Sequence, residues 1–211
     1  MKELDLLKKD WHNNTKSYIQ LSEKELYAML HKKSSSIVKW ILIISIMEVV
    51  LWTVLSLVFN TDAYLEHLKH PEIVLFTKVL TYVNYAVILV FIYLFYTNYV
   101  KISATVATKQ LMNDILSTRK TVQYYVAYNL GMLVFCLIIG FAIAFAYNPE
   151  MSILKDKIAH NPKILAVTIG IVLLTIGLFF CVFWAFYRIL YGILLKHLYA
   201  NFKELEKIDL E

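Results

Sequence analysis

One acidic side chain interrupts an otherwise apolar run: Glu48 stands eleven residues from either end of the stretch from Ile37 to Phe59. A charged carboxylate inside a bilayer costs at least about 2–3 kcal/mol, so Glu48 is expected to face other helices or water. No Lys, Arg or His lies at matching depth. It is therefore expected to donate a hydrogen bond to a neighbour such as Asn84. Asn84, Cys136 and Thr175 each lie eleven residues in from the outer ends of their own apolar runs, which puts four polar or polarizable side chains near one level. Such a group either ties helices together or handles a proton or ion.

Of the six histidines, His67 and His70 have the spacing of metal ligands on one helix face, and His160 is expected on the same side of the membrane. They form a candidate metal site, with solvated loop histidines as the plainer alternative. Strict catalytic motifs are missing: there is no G-x-S-x-G, no H-E-x-x-H, no P-loop and no Gly-rich dinucleotide loop. No cofactor is expected. Cys136 and Cys181 are separated by roughly 10 Å along the membrane normal at 1.5 Å per residue, so they read as packing residues. Gly140 with Ala144, and Ala166 with Gly170, have the small-x-x-x-small spacing that lets helix backbones approach, and tight packing between their two helices is expected.

These residues need a frame that holds them in lipid. With 59% hydrophobic and 18% charged residues in 211, the chain is too apolar for an ordinary soluble domain. Four apolar runs, 37–59, 73–100, 122–147 and 164–187, each exceed the roughly 20 residues that a bilayer core requires. They are continuously apolar rather than alternating, so the fold class is an all-α membrane protein with four transmembrane helices and no β-barrel.

Sixteen of the 21 Lys and Arg fall in the N-terminal tail, the middle loop and the C-terminal end. That asymmetry predicts a multi-pass membrane protein with both termini cytosolic. Trp40, Tyr96, Tyr99, Tyr124, Tyr125, Trp184 and Tyr187 then form the aromatic belt on the cytosolic side. The net charge of +5 fits an anionic leaflet, and no Lys/Arg stripe is dense enough for nucleic acid.

The chain divides into a cytosolic N-terminal segment, 1–36, a transmembrane domain, 37–195, and a cytosolic tail, 196–211. Ser22 and Glu25 have capping-box spacing, so a helix is expected to start at Glu23, with Leu26, Met29 and Leu30 on its apolar face. Leu4, Leu7 and Trp11 make a similar stripe upstream. These faces could lie on the membrane or bundle, or dock a cytosolic protein partner. The middle loop, with Ile102, Val106, Leu111 and Ile115, reads as a helical hairpin extending the second and third spans.

The stretches Leu4 to Trp11 (LDLLKKDW), Leu26 to Trp40 (LYAMLHKKSSSIVKW) and Arg119 to Asn129 (RKTVQYYVAYN) resemble uncharacterised four-span membrane proteins of Bacteroidota-type bacteria. The resemblance implies a four-helix membrane fold over most of the chain and brings no active site. Some of those proteins carry a beta-carotene monooxygenase label, although the four-histidine iron site of carotenoid-cleaving propellers has no counterpart here. Three readings follow. The first is a non-enzymatic scaffold or regulator in the lipid bilayer, binding a cytosolic partner. The second is a transporter or channel subunit using Glu48, which would require a homo-oligomer or a wider bundle. The third is a lipid- or carotenoid-modifying membrane enzyme.

Overall fold

The structure, a computed structural model, describes residues 22–59 and 70–210. Five α-helices follow in order: α1 Glu23–Phe59, α2 Pro71–Ala104, α3 Thr108–Tyr147, α4 Ser152–His160 and α5 Pro162–Leu210, with a 3-10 turn at Pro149–Met151 before α4. The four long ones are long and apolar enough to cross a membrane. The protein is an all-α, multi-pass membrane protein. The stripe Leu4, Leu7 and Trp11 lies outside the described residues.

Local chemistry sets the helix ends. At the start of α1 the Ser22 backbone N–H donates to Glu25 at 2.9 Å while the Glu25 N–H donates to the Ser22 hydroxyl at 3.3 Å, a reciprocal capping box. The Ser22 hydrogen bonds hold the Glu25 carboxyl below its usual 4.5. A lowered folded-state pKa contributes stability above the unfolded value that is lost as pH falls through the folded one. The first turn of α1 should therefore fray on acidification below about pH 4.5, and Ser22→Ala, which removes the hydroxyl but keeps the backbone N–H, should move the Glu25 titration, read by NMR, only part of the way back to its ordinary midpoint.

Pro71 and Pro162 each open a helix, where a missing N–H costs nothing. Between α2 and α3 only Thr105–Ala107 are non-helical, and the Thr105 N–H closes the last turn of α2 on the Lys101 carbonyl at 3.0 Å. The connection after α3, expected as a loop, instead carries the 3-10 turn and α4, started by the Asn148 side chain accepting from the Glu150 N–H.

The long helices run up and down as a four-helix ring, with α5 closing onto α1. Two ends follow: a basic end, with the start of α1, the α2–α3 turn and the end of α5, and an opposite loop end. Tyr27 donates to the Thr105 carbonyl at 3.3 Å, and Asn201 donates to the Ser34 hydroxyl at 3.1 Å, tying three helices together at the basic end. Leu26, Tyr27 and Leu30 pack into or against the core, whereas Met29, the third residue of the expected apolar face, is 56% exposed. Helix α1 passes through residue 37, and α5 through residue 196, without a break.

Buried positions run Leu30, Ser34, Ile37, Ile41, Ser45, Glu48 on α1 and Leu111, Ile115, Thr118, Val122, Tyr125 on α3. On α5, with half-buried Leu194 filling one place, they run Tyr187, Tyr191, Leu198, Asn201, Leu205. Steps of three and four, alternating throughout α3 and α5 and with one repeated four on α1, are the seam of a left-handed coiled coil. The sequence expectation for Val106 fails: it is 85% exposed at the turn, outside the seam. Toward the loop end packing thins, and in the most apolar 18-residue window of α5 no residue is buried. Those faces are unfit for water and suited to lipid.

Candidate functional site

Glu48 is the last buried position of the α1 seam, 6% exposed. Its Oε2 accepts from the Tyr125 hydroxyl at 2.8 Å and the Tyr191 hydroxyl at 3.3 Å, and its Oε1 accepts from Tyr187. Tyr125 comes from α3, and Tyr187 and Tyr191, four residues apart, come from one face of α5. Phe91 and Phe95 of α2 meet the Tyr125 ring edge-on at 5.4 and 5.3 Å, and Tyr191 meets it at 5.8 Å. All four long helices therefore build this layer.

Two sequence expectations change. Glu48 is an acceptor from three tyrosines rather than a donor to Asn84, whose Oδ1 instead accepts from Tyr128 at 3.0 Å. Its level also moves. Tyr125 and Tyr187, expected in the aromatic belt, touch Glu48, so the carboxylate lies level with the start of the third apolar run and the end of the fourth and not with their middles. The reason is that part of the apolar run of α1, including Val38 and Ile41, is core of the basic half. At 1.5 Å per residue, Cys136 and Thr175 lie roughly 16–18 Å farther toward the loop end than Tyr125 and Tyr187. The four side chains do not share a depth.

Three of them nevertheless share a cavity. A half-open space of about 340 Å³ lies on the loop-end side of the tyrosine layer, with Glu48, Asn84 and Cys136 in its lining. That volume falls within the roughly 300–1,000 Å³ of small-molecule pockets. Glu48, Tyr125 and Tyr187 form one end; Trp52, Phe183, Met132 and Leu133 supply apolar wall; Asn129 and Tyr85 add polar points. Tyr85 is held 3.3 Å from the Thr53 hydroxyl, and Trp52 stacks on Phe183 at 5.6 Å. On the basic side, fully buried Phe95, Val122 and Ile41 close the bundle. Thr175 is outside the lining, and its hydroxyl donates to the Ile171 carbonyl of its own helix at 2.8 Å.

The expected close helix approach is not found. Nothing lies within 4 Å of where a Cβ would stand on Gly140 or Gly170. Gly140 and Ala166 are exposed and Ala144 is half-buried, because this is the half where the seam has ended. His70 Nδ1 pairs with Glu72 at 2.9 Å and His160 Nδ1 pairs with the Asp156 carbonyl at 2.7 Å. His67 lies outside the described residues. Among the described residues no group of three His, Cys, Asp or Glu side chains could hold a metal. Cys136 and Cys181 are both free thiols.

Reasoning from sequence missed the three tyrosines as partners of Glu48. A signal was available: Tyr187 and Tyr191 keep heptad spacing with Leu194, Leu198 and Leu205. Continued upward, that register points both tyrosines inward.

An acidic group on a seam, met by a phenol cluster and opening into a small cavity, defines a class: a four-span helical membrane protein with a cavity inside its bundle. A family described as a domain of unknown function, DUF8845, matches residues 24–210. The chain belongs to that family. No curated protein and no solved structure matches it.

Proposed function

We propose that the protein is a non-enzymatic binding protein of a bacterial inner membrane, with cytosolic termini, that holds a small amphiphile in the Glu48 cavity. The observation that carries this reading is the cavity itself, polar at the Glu48 end and apolar along its wall, in a bundle whose outer faces suit lipid. At roughly 30 Å³ per water-sized group, the space admits on the order of ten such groups, the size of a single short chain with a head. The asymmetry of Lys and Arg supports the orientation. At the basic end Arg119 and Lys203 lie 4.6 and 5.4 Å from the centre of the Tyr199 ring, cations available to an anionic surface.

The scaffold reading keeps the exposed Met29 and the upstream stripe Leu4, Leu7 and Trp11 as candidate docking residues, since Leu26 and Leu30 pack into or against the core. A channel through one copy has against it the closed packing on the basic side of Glu48.

Cys136 gives a direct test, because it lines the far end of the cavity. In a Cys181→Ser background reconstituted into lipid nanodiscs, a membrane-permeant maleimide is expected to modify Cys136. n-Decanol or n-decylamine should slow that modification at least fivefold. Equal rates with and without both compounds would overturn the reading.

A further inference from the structure

We infer that the head group accepted beside Glu48 is an ammonium; the inference rests on the amphiphile reading and names its ligand class. Among the described residues Glu48 is the one acidic side chain in the cavity lining, and no Lys, Arg or His lines it. The nearest cation along α5, Arg188, follows Tyr187 directly but is exposed, with its guanidinium 5.0 Å from the Trp184 ring centre. It is turned out of the bundle. The carboxylate therefore has phenols as partners and no internal counter-ion among the described residues.

The rest of the lining at this end has matching chemistry. Tyr125, Tyr187, Trp52 and Phe183 present aromatic rings to the same space as the carboxylate. A negative group beside aromatic faces, away from bulk water, is the arrangement that recognises alkylammonium ions, through charge attraction and cation–π contact together. A neutral hydroxyl would use only the hydrogen bonds. A carboxylate or phosphate head would meet Glu48 as a like charge. A second cation attraction comes from geometry: Trp52 is one turn beyond Glu48 on α1, so its indole and the carboxylate lie on one helix face.

The experiment compares n-decylamine, n-decanol and n-decanoate, matched in chain and differing in head, on full-length protein in zwitterionic nanodiscs at pH 7, read by protection of Cys136 with empty nanodiscs as the partition control. The amine should protect at a concentration at least tenfold below the alcohol, and the decanoate should not protect. Glu48→Gln should abolish the preference for the amine over the alcohol. Trp52→Leu, which leaves the carboxylate and its phenols in place, should lower the amine preference several-fold and keeps the test decisive if Glu48→Gln does not fold. Equal protection by amine and alcohol in the native protein, or a preference that survives both substitutions, overturns the ammonium inference while the alcohol's protection still upholds the cavity. Failure of all three compounds removes the amphiphile reading itself.

Discussion

Replacing Glu48 by Leu should lower the melting temperature of the purified protein by roughly 6–12 °C, the shift expected for a loss of about 3 kcal/mol in a chain of this size. Three phenol hydroxyls now share that carboxylate. Each buried donor left without an acceptor costs about 1–3 kcal/mol. Hydrogen bonds in membrane bundles average nearer 0.6 kcal/mol because the unfolded chain also finds partners, so a sum near the lower end is the reasonable expectation. Gln keeps one carbonyl oxygen and adds an amide that can donate to a rotated phenol. Glu48→Gln should accordingly cost about 1 kcal/mol. Thermal unfolding in detergent followed by circular dichroism separates the two. A Leu variant as stable as the native protein would mean that the phenols satisfy one another, and the carboxylate would then have no structural role.

Phe95→Ala is the second large effect, expected at about 3–4 kcal/mol of destabilisation. Phe95 is fully buried on α2, and its ring meets Tyr125 edge-on at 5.3 Å. Removing it opens a hole directly beneath the Glu48 layer and takes away one of the rings that fix the Tyr125 phenol. Both stability and Cys136 protection should fall, the second because the polar end of the cavity loses its shape. Tyr96→Ala is the control: Tyr96 is the next residue, 54% exposed, and should cost less than about 0.5 kcal/mol. If Phe95→Ala melts like Tyr96→Ala, the basic half is looser than its packing indicates.

Both variants probe what sequence reading could reach only in part. The four apolar runs, the start of α1 at Glu23 and the hairpin of α2 and α3 were legible because they depend on local facts. These are a run of side chains long enough for a bilayer, a Ser and a Glu three residues apart, and a connection without Gly or Pro. The inward face of Glu48 was legible too, since lipid would not tolerate it. The partner was not. Tyr125, Tyr187 and Tyr191 stand 77, 139 and 143 residues from Glu48, and in the sequence the first two look like members of an aromatic belt. Asn84 was the nearer guess because counting from helix ends assumes that all four runs cross at the same height.

That assumption is where tertiary structure decided. An apolar residue reads the same whether lipid or another helix covers it. Ile37, Val38 and Ile41 therefore counted as membrane span although they are seam residues of the basic half. Likewise Gly140, Ala144, Ala166 and Gly170 had the spacing for close approach, but spacing fixes only a helix face. Whether a neighbour comes to that face depends on where the seam ends. By itself the sequence determined a four-helix membrane protein with one acid turned inward, because hydrophobicity and helical period act within a few turns. Only the assembled bundle determined the height of that acid, its three phenol partners and the cavity beyond it, because these depend on the relative height of helices that are distant in the chain.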